Sequence, residues 1–186
     1  MPKVAVKPNQ IFVSVINCAG RDESHNLIAH DGRYVANMAG LLQRLLDEGK
    51  KIVLASFCKE EGDEEGIRKI LAAMGCEEDP RVRVLCYDGT NADELTSAIA
   101  ASGGVIGTRF HATILAMAAG RPVLPIVYSD KTKYVLEDLG FTGTVYDLRD
   151  DATWTATEMT TMAPPAVDAV KHFQKLNIIL GRNKHD

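Results

Sequence analysis

Short apolar runs alternate with amphipathic segments along most of this 186-residue chain. The apolar runs have the length of buried strands, and glycines end several of the amphipathic segments, which is typical of helices. The pattern predicts strands over Ile11–Ile16, Lys51–Ser56, Val82–Leu85, Gly104–Gly107, Val123–Val127 and Thr144–Leu148. It predicts helices over Tyr34–Asp47, Asp63–Met74, Ala92–Ala101, Ala112–Ala119 and Lys131–Leu139. This alternation indicates an α/β fold: a doubly wound, mainly parallel, Rossmann-like sheet with helices on both faces.

The pattern weakens after Leu148. Residues 150–163 are polar and rich in threonine, and Pro164 and Pro165 then interrupt the chain. A terminal helix is predicted over Ala166–Leu180, and its apolar end is expected to pack on the sheet or on another chain. With 46% hydrophobic residues, we expect one core and a single α/β domain over residues 1–186.

Composition limits the classes of partner. The formal net charge is −4 and the charges are interspersed, which argues against nucleic-acid binding. No long apolar span or signal-like segment is present, so we expect a cytoplasmic protein without a transmembrane segment. The cysteines have no metal-ligand spacing and are expected to be reduced: Cys18, Cys58, Cys76 and Cys86. The histidines outside the Arg-x-His motif form no constellation, so neither a metal site nor a cofactor is predicted.

Arg109 and His111 are the most informative side chains because they follow a buried strand at the start of a helix. A helix N-terminus already carries partial positive charge and unpaired N–H groups, so cations there cost stability unless an anion binds between them. Thr108 is the expected N-cap residue. Because α/β sheets bind ligands beyond the carboxyl ends of their strands, these residues predict an anion site. Alternatively, Arg109 pairs with a carboxylate to brace the turn and His111 is structural.

The next strand and helix repeat this arrangement. Ser129 or Asp130 is the expected helix cap, and Lys131 and Lys133 lie in the first helical turn. Lys131 is expected to point inward, toward Arg109 and His111, and Lys133 to point to solvent. Tyr128 and Ser129 either touch the ligand or only cap the helix. Together these helix starts predict one electropositive pocket in an acidic protein.

The connection from Asn17 to Arg33 is the second candidate region. A connection of this length is often functional in α/β units, and this one leaves the carboxyl end of a strand. Asn17 and Arg21 are its candidate ligand-binding residues, and a solvated loop is the alternative. In contrast, we expect the acidic run Glu60–Glu65 to be a solvated helix start, since carboxylates are favourable there.

One run of residues resembles a known family. Arg109-Phe-His111, Gly120-Arg-Pro122, Tyr128, Lys131 and Leu139-Gly140 occur in the order found in the C-terminal half of polysaccharide pyruvyl transferases. The resemblance is sharp over Ile99–Gly143 and implies a lobe of a GT-B-like fold. It also implies transfer of a pyruvyl group from phosphoenolpyruvate to a sugar hydroxyl as a ketal, in cell-surface polysaccharide biosynthesis. The acceptor would be a saccharide or a lipid-linked saccharide.

The site residues follow from both lines of reasoning. The candidate catalytic residues are Arg109 and His111, and the candidate substrate-binding residues are Asn17, Arg21, Thr108, Tyr128, Ser129 and Lys131. One departure from the family is that the strand at Phe12–Ile16 does not end in an arginine, and the first arginine is Arg21. We also expect the family's N-terminal lobe to be absent from this chain, so that the chain supplies the donor-binding half and turns over little alone.

Three classes of function stay open at this point. The first is pyruvyl transfer, the second is a GT-B sugar-nucleotide glycosyltransferase lobe, and the third is a noncatalytic module that binds a phosphorylated metabolite or a partner. A homo-oligomer or a separate N-terminal lobe is the expected protein partner.

Overall fold

A six-stranded parallel sheet forms the centre of the protein in a computed structural model that describes residues 4–20 and 27–162. The strands are β1 (Lys7–Ser14), β2 (Lys51–Ser56), β3 (Val82–Cys86), β4 (Ser102–Gly107), β5 (Val123–Val127) and β6 (Tyr146–Asp147). Their order in the sheet is β3-β2-β1-β4-β5-β6, and each neighbouring pair is parallel. The order of strands reverses between β1 and β4, where α/β proteins open a ligand-binding crevice.

Helices cover both faces of this sheet. They are α1 (Asp31–Asp47), α2 (Asp63–Met74), α3 (Ala92–Ala101), α4 (Phe110–Ala118) and α5 (Asp130–Asp138). Side chains alternate along β1, so Val13 lies in the core formed with α1 and α2, whereas Phe12 lies in the core formed with α3, α4 and α5. The predicted α/β class, the parallel sheet and the two-sided helix packing are confirmed. No helix in the described part of the chain is both long and apolar enough to cross a membrane.

Three helix starts differ from their predicted positions, and the smallest difference is in α5, which begins at Asp130 rather than Lys131. Helix α1 begins at Asp31 rather than Tyr34, because a short 3-10 turn at Ile28–His30 leads directly into it. Helix α4 begins at Phe110, with Arg109 rather than Thr108 in the N-cap position. The prediction of Thr108 as the cap is wrong because its hydroxyl is engaged elsewhere, 3.2 Å from Tyr34 Oη.

The polar segment after β6 has a packing role that its composition does not reveal. Trp154 is buried, stacks on Tyr146 with ring centroids 5.3 Å apart, and meets the edge of Tyr34 at 6.0 Å. Helix α1 holds its backbone: Trp154 N–H donates to Asn37 Oδ1, and Arg44 donates to the Trp154 carbonyl. The segment therefore covers the α1 face of the core. The terminal helix over Ala166–Leu180 lies outside the described residues and stays a prediction.

Substitution of Trp154, the single tryptophan of the chain, tests this packing directly. We expect Trp154→Ala to lower the free energy of unfolding by about 3–5 kcal/mol, because loss of the ring leaves a cavity. Trp154→Phe is the matched control and should lose less, because the indole Nε1 has no hydrogen-bond partner among the described residues. Denaturant unfolding followed by circular dichroism measures both variants. Equal losses would contradict the proposed packing role of the ring.

Asp147, at the end of β6, supplies a second test, through pH. Arg149 donates to its carboxylate from the backbone N–H and Nε at 2.9 Å each, and from Nη2 at 2.6 Å. Burial alone would raise the pKa of Asp147, but these hydrogen bonds outweigh it and lower the pKa below its ordinary value. The resulting stabilisation is complete above the unfolded-state pKa, near pH 4, and disappears as pH falls through the folded-state pKa.

We therefore expect wild type to lose more free energy of unfolding than Asp147→Asn between about pH 5 and pH 2. Denaturant titrations at several pH values measure this slope. Arg149→Met should flatten this slope in part, because it removes the arginine side chain but keeps the backbone N–H that also lowers the pKa of Asp147. If the free energy of unfolding of Asp147→Asn falls with decreasing pH as steeply as that of wild type, the Asp147 carboxylate is not the source of the pH dependence.

Candidate functional site

Arg109 lies at the point where the order of strands reverses. It lies two residues after the end of β4, and its backbone N–H donates to Ser14 Oγ, at the end of β1, over 3.0 Å. The turn before it is tight: a Cβ on Gly107 would lie 2.3 Å from Thr113 Oγ1, so only glycine fits there. Thr113 in turn donates to the Gly107 carbonyl at 3.2 Å. The sequence Gly107–Thr113 thus fixes the start of α4 at the carboxyl edge of the sheet.

The side chain of Arg109 binds two carboxylates of the protein itself. Nε donates to Asp63 Oδ2 at 3.0 Å and Nη2 donates to Asp63 Oδ1, while Nη1 donates to Glu61 Oε2 at 2.6 Å. Asp63 is completely buried and also accepts the backbone N–H groups of Phe57 and Cys58, at 3.0 Å each. This charge-assisted network joins the end of β2, the start of α2 and the start of α4.

Two expectations from the sequence are therefore corrected. Arg109 is not a cation without a partner, because Asp63 and Glu61 supply the anion that the helix start requires. The alternative, a carboxylate that braces the turn, describes the observed contacts. The acidic run is not simply a solvated helix start, since Asp63 is buried. Burial alone would lower the pKa of Arg109, but the hydrogen bonds and charges of Asp63 and Glu61 raise it above its ordinary value, so the guanidinium stays charged.

A cavity of about 560 Å³ opens at this edge of the sheet. Arg109, His111 and Glu61 line it, together with apolar side chains that include Tyr87 and Leu115. His111 is exposed in the first turn of α4, and the N-terminus of α4 has no side-chain cap. Apolar walls with a few convergent polar groups are characteristic of sites for small ligands.

The start of α5 lies close to the start of α4, and Lys131 is the residue that connects them. It lies in the first turn of α5, after Ser129 in the N-cap position, and its Nζ is 5.7 Å from the centroid of the Phe110 ring. The Phe110 ring also contacts the ring of His111 at 5.8 Å. Lys131 is not among the residues that line the 560 Å³ cavity. Lys131 was expected to point inward and Lys133 to point to solvent. Both side chains are exposed, so their burial does not distinguish the two.

The structure places the other candidates of this edge in the core or in the helix cap. Thr108 is buried and its hydroxyl bonds to Tyr34, whose own Oη accepts the Ile16 backbone N–H at 3.2 Å. Burial raises the pKa of Tyr34 above its ordinary value and keeps the phenol protonated. Tyr128 packs against the core on the α1 face. Ser129, one of the two residues predicted as the cap, is in the N-cap position, and its hydroxyl lies 3.4 Å from that of Thr132.

The long connection contributes one described candidate. Asn17 is buried, and its Oδ1 accepts a hydrogen bond from Lys69 Nζ at 3.1 Å. The same ammonium lies 2.7 Å from Asp31 Oδ2, so Asn17 belongs to an internal network between α1 and α2. It is not a lining residue of the cavity. Arg21 lies outside the described residues, and its role stays a prediction. Over residues 4–20 and 27–162, no group of three or more histidine, cysteine, aspartate or glutamate side chains could hold a metal ion.

The buried ion pair gives a stability test. Arg109→Met should lower the free energy of unfolding by about 3–5 kcal/mol, because it leaves the Asp63 carboxylate buried and unpaired. The double variant Arg109→Met/Asp63→Leu should recover part of this loss. Arg83→Met is the control: its pair with Glu94 is exposed, and its loss should not exceed about 1 kcal/mol. Denaturant unfolding measures all three, and similar losses for Arg109→Met and Arg83→Met would refute the bracing role.

Comparison with known proteins agrees with the fold described above. The structure is similar to that of E. coli ADP-heptose lps heptosyltransferase II, with a TM-score of 0.51 and 20% sequence identity. The similarity covers 96% of this chain and 48% of that chain, so the chain spans about half the length of the heptosyltransferase. The fold is thus the Rossmann-like α/β fold found in GT-B glycosyltransferases. Residues 4–130 match the polysaccharide pyruvyl transferase family, and the chain belongs to that family.

Proposed function

We propose that this chain supplies the donor-binding half of a polysaccharide pyruvyl transferase. The donor would be phosphoenolpyruvate, and the pyruvyl group would pass to a sugar hydroxyl as a ketal in cell-surface polysaccharide biosynthesis, on the cytoplasmic side of the membrane. The observation that carries this proposal is that Arg109 and His111 line one cavity at the carboxyl edge of the sheet, in a chain of this family. A saccharide or lipid-linked saccharide would bind with the help of an N-terminal lobe, which we propose as the partner of residues 1–186.

The donor has two anionic groups, and the site offers two kinds of positive charge. The uncapped N-terminus of α4 presents backbone N–H groups with partial positive charge, and Lys131 lies beside it. We assign the phosphate to this helix start. Arg109 would contact the carboxylate through the second N–H of an Nη nitrogen, since Asp63 and Glu61 accept one N–H each from Nη2 and Nη1.

His111 is the proposed general acid. Histidine is the most common general acid in enzymes, and this side chain is exposed and lines the cavity. A proton added to the methylene carbon of the donor makes it a methyl group. Two acceptor hydroxyl oxygens then bond to the central carbon, and the bond from that carbon to the phosphate oxygen breaks. Of the two hydroxyl protons, one replaces the proton that His111 gave and the other leaves with phosphate.

A noncatalytic module that binds a phosphorylated metabolite is the second candidate. The observation that favours it is the internal pairing of Arg109 with Asp63 and Glu61, which leaves less of the guanidinium for a substrate. Such a module would bind phosphoenolpyruvate, but no acceptor would yield a ketal. A glycosyltransferase lobe would instead prefer a sugar nucleotide, so a titration that compares phosphoenolpyruvate with a sugar nucleotide distinguishes it from both.

Calorimetric titration with phosphoenolpyruvate, inorganic phosphate and a UDP-sugar tests the proposal. We expect phosphoenolpyruvate to bind more tightly than phosphate, because its carboxylate and phosphate engage different positive groups. Lys131→Ala should weaken binding by roughly ten- to a hundredfold, as expected for one charge-assisted contact. Lys133→Ala is the matched control, since it removes the same charge two positions along the same helix, and it should bind like wild type.

The proposal fails if the folded chain binds no anion, or if the UDP-sugar binds more tightly than phosphoenolpyruvate. Equal losses in Lys131→Ala and Lys133→Ala would show a general charge effect and would remove Lys131 from the site.

A further inference from the structure

The lining of the 560 Å³ cavity divides into a polar and an apolar part. Arg109, Glu61 and His111 belong to the polar part. The side chains of the apolar part come from four places in the fold: Phe57 after β2, Tyr87 after β3, Leu95 in α3 and Leu115 in α4. His111 and Leu115 are four residues apart in one helix, so the two parts are neighbours along a single face of α4.

The proposed donor accounts for the polar part alone. Phosphoenolpyruvate carries a carboxylate and a phosphate on a short carbon frame, so it has almost no apolar surface to bury. Cavities of about 300–1,000 Å³ hold drug-sized ligands, and 560 Å³ is more than this small acid requires. A second group with an apolar surface therefore fits beside the donor.

Tyr87 presents an aromatic ring of fixed position in the apolar part. Its backbone N–H donates to the Ser56 carbonyl at 3.1 Å, and its Oη donates to the Gly89 carbonyl at 3.3 Å. The side chain is half-buried and packs against the core formed with α3, α4 and α5. A ring held in this way loses little conformational entropy when a ligand stacks on it. Its negative face attracts the C–H groups of a ligand.

We propose that the apolar part of this cavity binds the sugar ring of the acceptor, with one C–H face of the ring on Tyr87. This inference rests on the proposed function and assigns the acceptor a subsite on this chain. The ketal joins one donor carbon to two acceptor oxygens, so the sugar must lie directly beside the donor. A pyranose ring carries C–H groups on its faces and hydroxyls on its rim, which suits an apolar wall next to a polar one. A lipid chain would fill the wall but bring no hydroxyl to the donor.

Binding of simple methyl glycosides to the chain tests this subsite. Methyl glucoside, methyl galactoside and methyl mannoside are titrated with and without saturating phosphoenolpyruvate, and saturation-transfer NMR identifies the ring protons that contact the protein. We expect at least one glycoside to bind, with the transfer concentrated on one face of its ring. Tyr87→Leu should weaken this binding about tenfold, because leucine keeps an apolar side chain but removes the aromatic face.

Two further variants are the controls. Tyr87→Phe keeps the ring and should keep the binding of the glycoside. Tyr134→Leu removes a tyrosine ring from α5, where the side chain is exposed and does not line the cavity, and it should bind like wild type. Circular dichroism checks the fold of each variant, and titration with phosphoenolpyruvate checks its donor site.

The outcomes separate this inference from the proposed function. If wild type binds phosphoenolpyruvate but no glycoside, or if Tyr87→Leu and Tyr134→Leu bind the glycoside equally well, the sugar subsite is wrong and the donor site stands. If geranyl phosphate binds more tightly than every glycoside and loses this binding in Tyr87→Leu, the wall holds a lipid chain and the sugar subsite is again wrong. If a glycoside binds through Tyr87 but phosphoenolpyruvate does not bind, the subsite stands and the proposed donor is wrong.

Discussion

The buried ion pair between Arg109 and Asp63 is the interaction on which the carboxyl edge of this sheet depends. Removing two charges from water is costly, and the cost is offset only when the geometry is good and the remaining polar atoms are bonded. Both conditions hold: the contact is bidentate, and the backbone of Phe57 and Cys58 bonds to the carboxylate. Because Arg109 also binds Ser14 through its backbone N–H, one residue connects three strand ends.

This pairing changes the electrostatics of the site. An arginine at a helix start suggests a strongly positive pocket, but the Arg109 guanidinium is paired with the carboxylates of Asp63 and Glu61. The positive potential near the cavity then comes from the uncapped start of α4 and from Lys131. Such a site favours a ligand that places an anionic group at the helix start.

The core on the α1 face of the sheet is completed by a polar segment. Residues 148–162, the described part of the chain after β6, form almost no regular structure, yet Trp154 fills a space between Tyr34 and Tyr146. Polar side chains of α1 bind the backbone on both sides of the ring, which satisfies the groups that an irregular segment would otherwise leave unpaired. Tyr34 then connects this region to the site, since its hydroxyl holds Thr108 in the turn before Arg109.

The sequence by itself determined the alternation of elements and much of their extent. The bounds of β2, α2, α3 and β5 agree with the hydrophobic pattern, because burial on one or both faces is a local property of each segment. The Arg-x-His motif likewise indicated the family and the edge of the sheet, since strand ends are local too.

Only the tertiary structure decided which side chains meet. Arg109 and Asp63 are far apart in sequence, and nothing local distinguishes Asp63 from the solvated acidic residues around it. A parallel sheet brings the ends of β2 and β4 to one edge, and there the carboxylate becomes the partner of the guanidinium. The burial of Trp154 could not be predicted either, because its polar neighbours show no hydrophobic periodicity. Local chemistry thus defined the elements, and long-range packing defined their partners.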